Sequence, residues 1–572
     1  MRGGVATGWR VVALVGTIGL VACRADPDDP AGQAGELADP LRRQNAIANL
    51  HRIYTGALAQ HNGDRARPEL RAIVDASIDK LVQCYIDNPQ DTQNGLHIIN
   101  LLYEMRDPRA IPALVRALDW RAEVNEEHAI RAAQTIRFLQ VPENRKGEVV
   151  EALSNALDRV SGARAIDNRM RIEFLHALGA LRDRRATPVL VKIATAQSEN
   201  QNFLINRLAA QKLGMLADPA SVPALIRCLF LFAPGNPALR MNDVAAEALV
   251  RIGRPAFEPL LAVLRGQDAE AEALAAAYIE AVRARDARAA ALMNPARVRS
   301  AEATFALGAL GFREALEPLL AESQVQGDVD RHVYAAIALV RLNLEPGDLP
   351  RVREALTRVF GEANLEAKPQ LLAAMRMLYD PELTPFFLRQ AADRDLHPAV
   401  RLEAVLSYAL LADRAQAAEL RAFIQREPPS EDGGYRENFA RNEPALAAAT
   451  ECNDDVACWA RKVRERPTAR EQEAREAQLL VVRKACYMLG RYGRGNEAAV
   501  AALTEMLDAP DLEVRLAALT ALDRIAVRGS QAAIDKIERL RETEEGRSIW
   551  TNFSREALPV QARLRNRMAQ GG

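Results

Sequence analysis

This sequence of 572 residues has few aromatic residues and no excess of charge of either sign. Phe, Trp and Tyr together make up 5% of the chain, which fits poorly with a β-rich core. The 75 Lys and Arg residues are balanced by 76 Asp and Glu residues, so no basic excess exists to displace counterions from nucleic acid. We therefore expect neither a β-rich fold nor a nucleic-acid-binding protein.

The sequence is also poor in the residues and motifs that carry catalysis. It contains no Gly-x-Ser-x-Gly elbow, no Walker-type phosphate loop and no His-Glu-x-x-His helix. Only seven histidines are present, and no two of them fall on one helical turn: His51, His61, His97, His128, His176, His332 and His397. We predict a protein that is not an enzyme, with no catalytic residues, no cofactor and no metal site.

What the chain has in abundance is Ala, Leu and Arg, within a hydrophobic content of 49%. These residues favour many short helices packed closely through small side chains. A single compact core does not grow to this length, whereas a repeat array grows along one axis. The composition therefore favours an all-α array.

The amino terminus has the pattern of an export signal. Arg2 and Arg10 precede an apolar stretch, residues 11–21, that is shorter than the roughly 18 residues a membrane-spanning helix needs. The stretch ends in Leu20-Val21-Ala22-Cys23, which resembles the lipobox of bacterial lipoproteins. That resemblance implies a signal peptide over residues 1–22 and lipid attachment at Cys23, which would hold the mature chain at a membrane.

Residues 23–40 are polar and contain Pro, Asp and Gly, a composition that predicts a flexible tether. In enteric-type lipoproteins an Asp directly after the lipidated cysteine favours the inner membrane, and this chain has Arg24 there. We therefore expect a lipid-anchored protein of the bacterial cell envelope, in the outer membrane rather than the inner one.

A short motif recurs along the rest of the chain. An Asp or another turn residue is followed by a proline and then by apolar residues at helical spacing, which is typical of a helix start because Asp caps and proline is tolerated in the first turn. The six copies are Asp107–Leu118, Asp183–Val191, Asp218–Leu229, Gly253–Leu261, Phe312–Leu320 and Asp380–Leu388.

A second helical pattern follows several copies, so each unit is predicted to be a helical hairpin. The clearest second helices are Ala129–Leu139, Met170–Leu181, Val400–Leu411 and Val514–Ile525. Where the marking prolines Pro188, Pro223 and Pro259 follow one another, they are about 35 residues apart, near the period of two-helix repeats.

These hairpins resemble HEAT repeats. The shared features are an Asp in the turn between the helices and an Arg early in the second helix, and here the residues are Asp167 with Arg171, Asp395 with Arg401, and Asp511 with Arg515. The resemblance implies an all-α, α-α superhelix of the HEAT/armadillo type over residues 41–545, with a carboxyl-terminal cap or tail over residues 546–572. Such solenoids offer extended surfaces to protein partners.

Two segments depart from the repeat. Residues 267–299 are rich in Ala, Glu and Arg without a proline mark and predict inserted longer helices. Residues 427–475 contain the turn-rich stretch 427–434 and are expected to form a protruding excursion. Insertions in solenoids often carry binding.

The second insertion contains Cys452 and Cys458, which could form a disulfide in an oxidising compartment. Six residues of continuous helix would separate their Cα atoms by about 9 Å, beyond the limit for a bridge, so a bridge requires a turn between them. Two free thiols and a metal site are the alternatives. Cys84, Cys228 and Cys486 fall at apolar helix positions and are predicted to lie in the core.

The sequence thus favours a non-catalytic, membrane-anchored scaffold that binds protein partners. The identity of those partners does not follow from the sequence. One alternative is a HEAT-like bilin-lyase-type enzyme, although such enzymes are cytoplasmic. Di-iron hydroxylases of HEAT type carry paired His-Glu steps, whereas this chain has a single Glu127-His128 in the reverse order. A glycan-binding envelope protein would need exposed aromatic residues, and the candidates are Trp120, Tyr435, Phe439 and Trp459.

Overall fold

The computed structural model describes residues 25–162, 164–197, 201–546 and 552–570. These ranges are almost entirely α-helical, as the hydrophobic periodicity predicts. The chain divides into two compact units, residues 1–160 (unit 1) and residues 161–572 (unit 2). None of the described helices is both long and apolar enough to cross a membrane.

Unit 1 consists of two layers of antiparallel helices. Helices α1, α3, α5 and α7 pack side by side in one layer, and α2, α4 and α6 form the other, so that successive helices make hairpins. The helices are α1 (Pro30–Glu36), α2 (Arg43–Gln60), α3 (Pro68–Asp87), α4 (Thr92–Met105), α5 (Ile111–Leu118), α6 (Glu126–Phe138) and α7 (Glu143–Asp158).

Helix α1 lies inside the segment that the sequence predicts to be a flexible tether. The Asp29 side chain accepts hydrogen bonds from two backbone N–H groups of its first turn, and the helix packs against α2 and α3. Ala34 and Leu37 are almost fully buried in that contact. Residues 30–37 are therefore part of the folded unit, because these apolar side chains find a partner surface that composition does not reveal.

The Asp- and Pro-marked segments start helices, as predicted, but each begins with a single 3₁₀ turn. Asp107 shows the pattern, since its carboxylate accepts a hydrogen bond from the Arg109 N–H at 2.9 Å and Pro112 lies in the first turn of α5. Asp183, Asp218 and Asp380 cap in the same way. The 3₁₀ turns are Pro108–Ala110, Arg184–Ala186, Pro219–Ser221, Arg254–Ala256, Arg313–Ala315, Pro346–Asp348, Pro381–Leu383 and Ser430–Asp432.

Unit 2 continues the hairpin design over a longer stretch. Its helices are α8 (Ala165–Leu181), α9 (Thr187–Thr195), α10 (Phe203–Leu216), α11 (Val222–Cys228), α12 (Asn242–Ile252), α13 (Phe257–Leu264), α14 (Ala269–Arg283), α15 (Ala287–Ala291), α16 (Pro295–Leu310), α17 (Leu316–Glu322), α18 (Val329–Leu339), α19 (Leu349–Glu362), α20 (Ala367–Arg376), α21 (Thr384–Ala392), α22 (Pro398–Leu411), α23 (Arg414–Arg426), α24 (Arg436–Ala440), α25 (Glu443–Cys452), α26 (Val456–Lys462), α27 (Gln472–Tyr492), α28 (Glu497–Met506), α29 (Leu512–Ile525), α30 (Gln531–Gly546) and α31 (Asn552–Gln570).

These helices also form two layers. The inner layer is the series α8, α10, α12, α16, α18, α20, α22, α27, α29 and α31, in which each helix packs against the next. Helices α9, α11, α13, α17, α19, α21, α26, α28 and α30 each pair with an inner helix and make up the outer layer. A short antiparallel hairpin, β1 (Phe232–Ala233) and β2 (Asn236–Arg240), precedes α12.

Buried polar side chains of the inner layer join it to the outer layer. The last carbonyl groups of a helix have no intrahelical hydrogen-bond donor. Side chains of the inner layer donate to these carbonyls at the ends of outer-layer helices. The bonds run from the Asn206 amide to the carbonyl of Ile193 (3.0 Å), from the Arg299 guanidinium to that of Val263 (2.8 Å) and from the Arg401 guanidinium to that of Ala391 (2.8 Å).

The two predicted insertions are helical. Within residues 267–299 the additional helices are α14 and α15, while α16 begins at Pro295 and belongs to the inner layer. Within residues 427–475, α25 packs between α23 and α27, and α26 packs against α27 and α28. The expectation that this second segment protrudes is therefore wrong for α25 and α26, which are part of the packed array.

Candidate functional site

The predicted lipid-attachment residue, Cys23, lies outside the described residues, as does the whole of the predicted signal peptide. The structure therefore has nothing to say about either of them.

Cys452 and Cys458 are joined by a disulfide, with their Cα atoms 5.4 Å apart. The chain turns between them, as a bridge requires. Helix α25 ends at Cys452, Asn453 adopts a φ of 50°, and Asp455 caps the start of α26 by accepting from two backbone N–H groups. The indole N–H of Trp459 donates to the carbonyl of Asn453 at 2.8 Å, which holds the same turn from the other side.

Glu451 lies beside the disulfide and completes a group of three potential ligands whose atoms are within 4.8 Å of one another. Because the two sulfurs are bonded to each other, they do not act as thiolate ligands in this form. The other cysteines of the described residues, Cys84, Cys228 and Cys486, are buried thiols, and burial raises the pKa of both Cys228 and Cys486 to about 12. These three residues lie in the core, as predicted.

The aromatic candidates for glycan binding are mostly inaccessible. Phe439 and Trp459 are fully buried, and Trp120 is 8% exposed with its indole N–H bonded to the carbonyl of Ala156. Tyr435 is half-buried and packs against Phe439. A stacking platform for sugars would need exposed ring faces, so these four residues do not form one.

The feature that sequence reasoning missed is the position of the last helix, α31. Besides α29 and α30, it packs against α12 and α16, which precede it by about 310 and about 260 residues. Its apolar side chains Phe553, Leu558, Val560 and Leu564 are buried. Within unit 2 the inner layer therefore closes on itself, with α31 as the closing helix.

Ion pairs fix α31 in this place. The Arg563 guanidinium lies 2.7 Å from the Asp523 carboxylate of α29 and donates to the carbonyl of Ala309 at the end of α16. Glu556 pairs with Arg341, at the end of α18, at 2.8 Å. Arg567 also pairs with Asp523, at 3.1 Å. Burial alone would raise the pKa of the Asp523 carboxyl, but the Arg563 and Arg567 guanidinium groups outweigh it and hold that pKa low.

Several openings lie beside α31, and two of them have linings suited to binding. The first, which we call the arginine cleft, is a cavity of about 310 Å³ lined by Arg341, Arg494, Arg524, Arg528, Arg563 and Arg567. Only Asp523 and Glu556 oppose these six arginines in its lining. The cleft is therefore a concentration of positive charge in a chain whose formal net charge is −1.

The second opening, which we call the aromatic groove, is a cavity of about 420 Å³ between α16, α18 and α31. Phe305 and Tyr334 are 37% and 36% exposed there, and the Arg341 guanidinium lies 5.7 Å from the Phe305 ring. Exposed aromatic side chains beside arginine are the composition that protein interfaces favour at their centres.

A buried ion pair forms the polar end of the aromatic groove. Arg240, at the end of β2, lies 2.8 Å from the Glu302 carboxylate, and the Asn242 amide donates to the same carboxylate at 3.4 Å. Burial raises the pKa of Glu302 although Arg240 opposes the shift. The β-hairpin before α12 thus supplies a cation that the repeat pattern alone would not place here.

The sequence alone does not show that the arginines of the cleft lie close together. Arginine is frequent throughout the chain, so the arginines of the cleft do not differ from their neighbours in sequence. They converge because residues at the ends of α18, α20, α27 and α29 line one cavity together with α31, which is a consequence of long-range closure.

Known families match parts of the chain. Residues 469–549 match the model of HEAT repeats, and residues 98–119 match that of the PBS lyase HEAT-like repeat. No curated protein matches the sequence.

Solved structures that are similar to the chain include the karyopherin Kap121p, in a crystal structure with the extreme C-terminus of the protein phosphatase Cdc14p. Its identity is 11%, over 90% of this chain and 68% of that one, with a TM-score of 0.44. Yeast importin-beta (Kap95p) has 13% identity over 94% of this chain and 79% of its own, with a TM-score of 0.29. An engineered protein has 16% identity over 87% and 98%, with a TM-score of 0.27.

The two repeat matches fall on the hairpins described above. Residues 98–119 span the end of α4 and all of α5, including the Asp107 turn, and residues 469–549 span α27 to α30. The same design of paired helices in two layers occupies the rest of both units. The fold is an all-α HEAT-repeat solenoid, as the sequence resemblance implies.

Proposed function

We propose that this protein is a non-catalytic scaffold that binds a protein partner at the aromatic groove of unit 2. The observation that carries the proposal is the exposure of Phe305 and Tyr334 on the inner layer, where most large apolar side chains are buried. Aromatic side chains supply large contact area at low entropic cost, and arginine beside them adds directional hydrogen bonds.

The surroundings of the groove favour binding over chemistry. Its buried carboxylate, Glu302, is paired with Arg240 and Asn242, and the arginine and amide groups that surround it are donors suited to holding a partner. The match to the PBS lyase HEAT-like repeat covers 22 residues of unit 1 and corresponds to a single repeat, so it supports the architecture more than a lyase activity.

Site-specific photocrosslinking in the native host tests the groove. A photoreactive amino acid at position 334 should give one discrete protein adduct, and the same group at position 365 should not, since Leu365 is also exposed, at 49%, but lies in the turn between α19 and α20. Phe305→Ala in the same chain should reduce the adduct from position 334. Equal adduct yields from positions 334 and 365 would contradict the proposal, and so would an adduct yield at position 334 that Phe305→Ala does not change.

The second part of the proposal is that Cys23 carries lipid and holds the scaffold at the cell envelope, in the outer membrane rather than the inner one. It is supported by the Leu20-Val21-Ala22-Cys23 motif after a short apolar stretch and by Arg24 at the next position. Metabolic labelling with a fatty-acid analogue should mark the wild-type chain, and Cys23→Ala should abolish the label and release exported protein from the membrane fraction. Labelling that persists in Cys23→Ala would exclude this anchor.

A further inference from the structure

Only some of the six arginines that line the arginine cleft are paired with its carboxylates. Arg563 and Arg567 both pair with Asp523, at 2.7 and 3.1 Å, and Arg341 pairs with Glu556. These three arginines hold α31 against the inner layer and are accounted for by the fold.

Arg494, Arg524 and Arg528 differ from them. Among the described residues, none of the three makes an ion pair or a side-chain hydrogen bond, although all three line the cavity. Arg524 is half-buried on α29, while Arg494 and Arg528 are exposed in the turns that follow α27 and α29. Three cations therefore face one space without an ion-pair partner of their own among the described residues.

Their proximity has an electrostatic cost. Burial lowers the pKa of Arg524, and the nearby guanidinium of Arg494 lowers it further, while the Asp523 carboxylate opposes the shift only in part. Like charges gathered in a partly enclosed space are unfavourable unless an anion joins them. A bound anion would convert this repulsion into attraction.

Tyr379 is a distinctive part of the lining of the cleft. It is a non-glycine residue with a φ of 54°, in the left-handed region that favours glycine, and it is almost fully buried. Its hydroxyl donates to the Thr520 hydroxyl at 2.9 Å. Its ring fills the space that a Cβ at Gly490 would occupy, so α27 accommodates the ring only because it has glycine there.

We propose that the arginine cleft binds a small multivalent oxyanion of the phosphate class through Arg494, Arg524 and Arg528. Planar guanidinium groups form paired hydrogen bonds with phosphate oxygens, and three of them match a ligand with at least two negative charges. The cavity of about 310 Å³ is at the small end of the range for ligand sites. None of these three arginines lines the aromatic groove, and the site does not depend on the proposed scaffold function.

Isothermal titration calorimetry of the full chain with pyrophosphate, in phosphate-free buffer of low ionic strength, tests the proposal. We expect saturable binding at one site, and we expect Arg494→Gln with Arg524→Gln to weaken it by at least about tenfold, which is about 1.4 kcal/mol. The matched control is Arg394→Gln, an exposed arginine in the turn between α21 and α22, which should leave the affinity unchanged. Arg494 is exposed and makes no ion pair or side-chain hydrogen bond among the described residues, so the single variant Arg494→Gln keeps the test decisive if the double variant does not fold.

Further arms identify the source of the oxyanion. Flotation with vesicles that contain phosphatidic acid, if abolished by the double variant, assigns the site to a lipid headgroup, whereas pyrophosphate binding without flotation assigns it to a soluble ligand. The absence of saturable pyrophosphate binding at millimolar concentration, or equal affinity in the wild type and the double variant, would overturn the proposal. Tighter binding of a poly-glutamate peptide than of pyrophosphate would also overturn it, in favour of an acidic protein segment.

Discussion

At the scale of single residues, Arg401 joins three elements. Its guanidinium donates to the carbonyl of Ala391 at the end of α21 and pairs with Glu427, after α23, at 2.9 Å, with both side chains 4% exposed. It also lies 5.3 Å from the rings of Tyr435 and Phe439. The arginine that the repeat motif marks early in a second helix therefore has a structural role here.

Glu427→Ala should destabilise the protein by about 3–5 kcal/mol, because it leaves the Arg401 charge buried without its partner. Chemical denaturation followed by circular dichroism measures the change. Arg401→Met with Glu427→Leu is the matched variant and should recover most of the loss, since it removes both charges and keeps the volume. If Glu427→Ala were as stable as the wild type, the pair would not be buried as the structure has it.

Lys484 is the second buried charge with a testable consequence. Its amine donates to the carbonyls of Ala409 and Ala412 at the end of α22, and burial holds its pKa well below that of a free lysine. Two carbonyl acceptors suit a neutral amine, which has two N–H donors. The unfolded chain therefore binds more protons at this site than the folded chain, so stability rises with pH between the two pKa values.

As the pH rises toward the pKa of a free lysine, the unfolding free energy of the wild type should rise relative to that of Lys484→Met, by up to about 1.4 kcal/mol per pH unit. Denaturation curves of both proteins across this range measure the difference. Lys368→Met, at a half-exposed position of α20, should run parallel to the wild type. A difference between wild type and Lys484→Met that falls or stays flat as pH rises would refute the buried site.

Sequence reasoning reached Arg401 but not Lys484, for a physical reason. Arg401 stands in a recurring position after a turn, so its neighbours repeat along the chain. Lys484 lies in α27, and its acceptors belong to α22, more than 70 residues away along the chain. Only the packing of these two inner helices brings them together.

At the scale of elements, the turn between α25 and α26 is held by three different interactions. The disulfide joins Cys452 to Cys458, Asp455 caps α26, and Trp459 bonds back to Asn453. The two helices then pack on α27. A disulfide across so short a loop is expected to stabilise the protein by about 2 kcal/mol, through the lost freedom of the unfolded chain.

Cys452→Ser with Cys458→Ser should therefore lower the melting temperature while leaving the helical content unchanged, since the cap and the indole hydrogen bond remain. Differential scanning calorimetry measures the shift. Cys228→Ser does not serve as the control for this variant, because Cys228 is a buried thiol outside the disulfide and its replacement would alter the core. Peptide mapping without reduction should recover the linked pair, and alkylation of both thiols in the native protein would contradict it.

Local sequence signals predicted helix starts correctly where the start is determined by residues of the helix itself. The Asp and Pro marks identified the starts of α5, α9, α11 and α21, because capping and the tolerance of proline in a first turn are local effects. The prediction was wrong for α1 and for the packing of α25 and α26. The sequence around α1 is polar, and α25 and α26 follow a turn-rich stretch; all three helices are stabilised by neighbours that sequence periodicity does not identify.

At the scale of the whole molecule, the closure of the inner layer in unit 2 decides which surface is available. A HEAT array that stays open offers its entire inner face to a partner. Here α31 covers part of that face, and it leaves the arginine cleft and the aromatic groove as openings beside it. The segment that the sequence predicts to be a cap or tail thus defines the candidate binding sites.

Hydrogen–deuterium exchange tests this closure most directly, by comparing the full chain with a chain that ends before Asn552. Because α31 buries Phe553 and Leu564 and packs on α12 and α16, its removal should speed exchange in those two helices and in α29. Helices α9 and α11, which do not pack on α31, should exchange as before. Unchanged protection of α12 and α16 in the shortened chain would contradict the account.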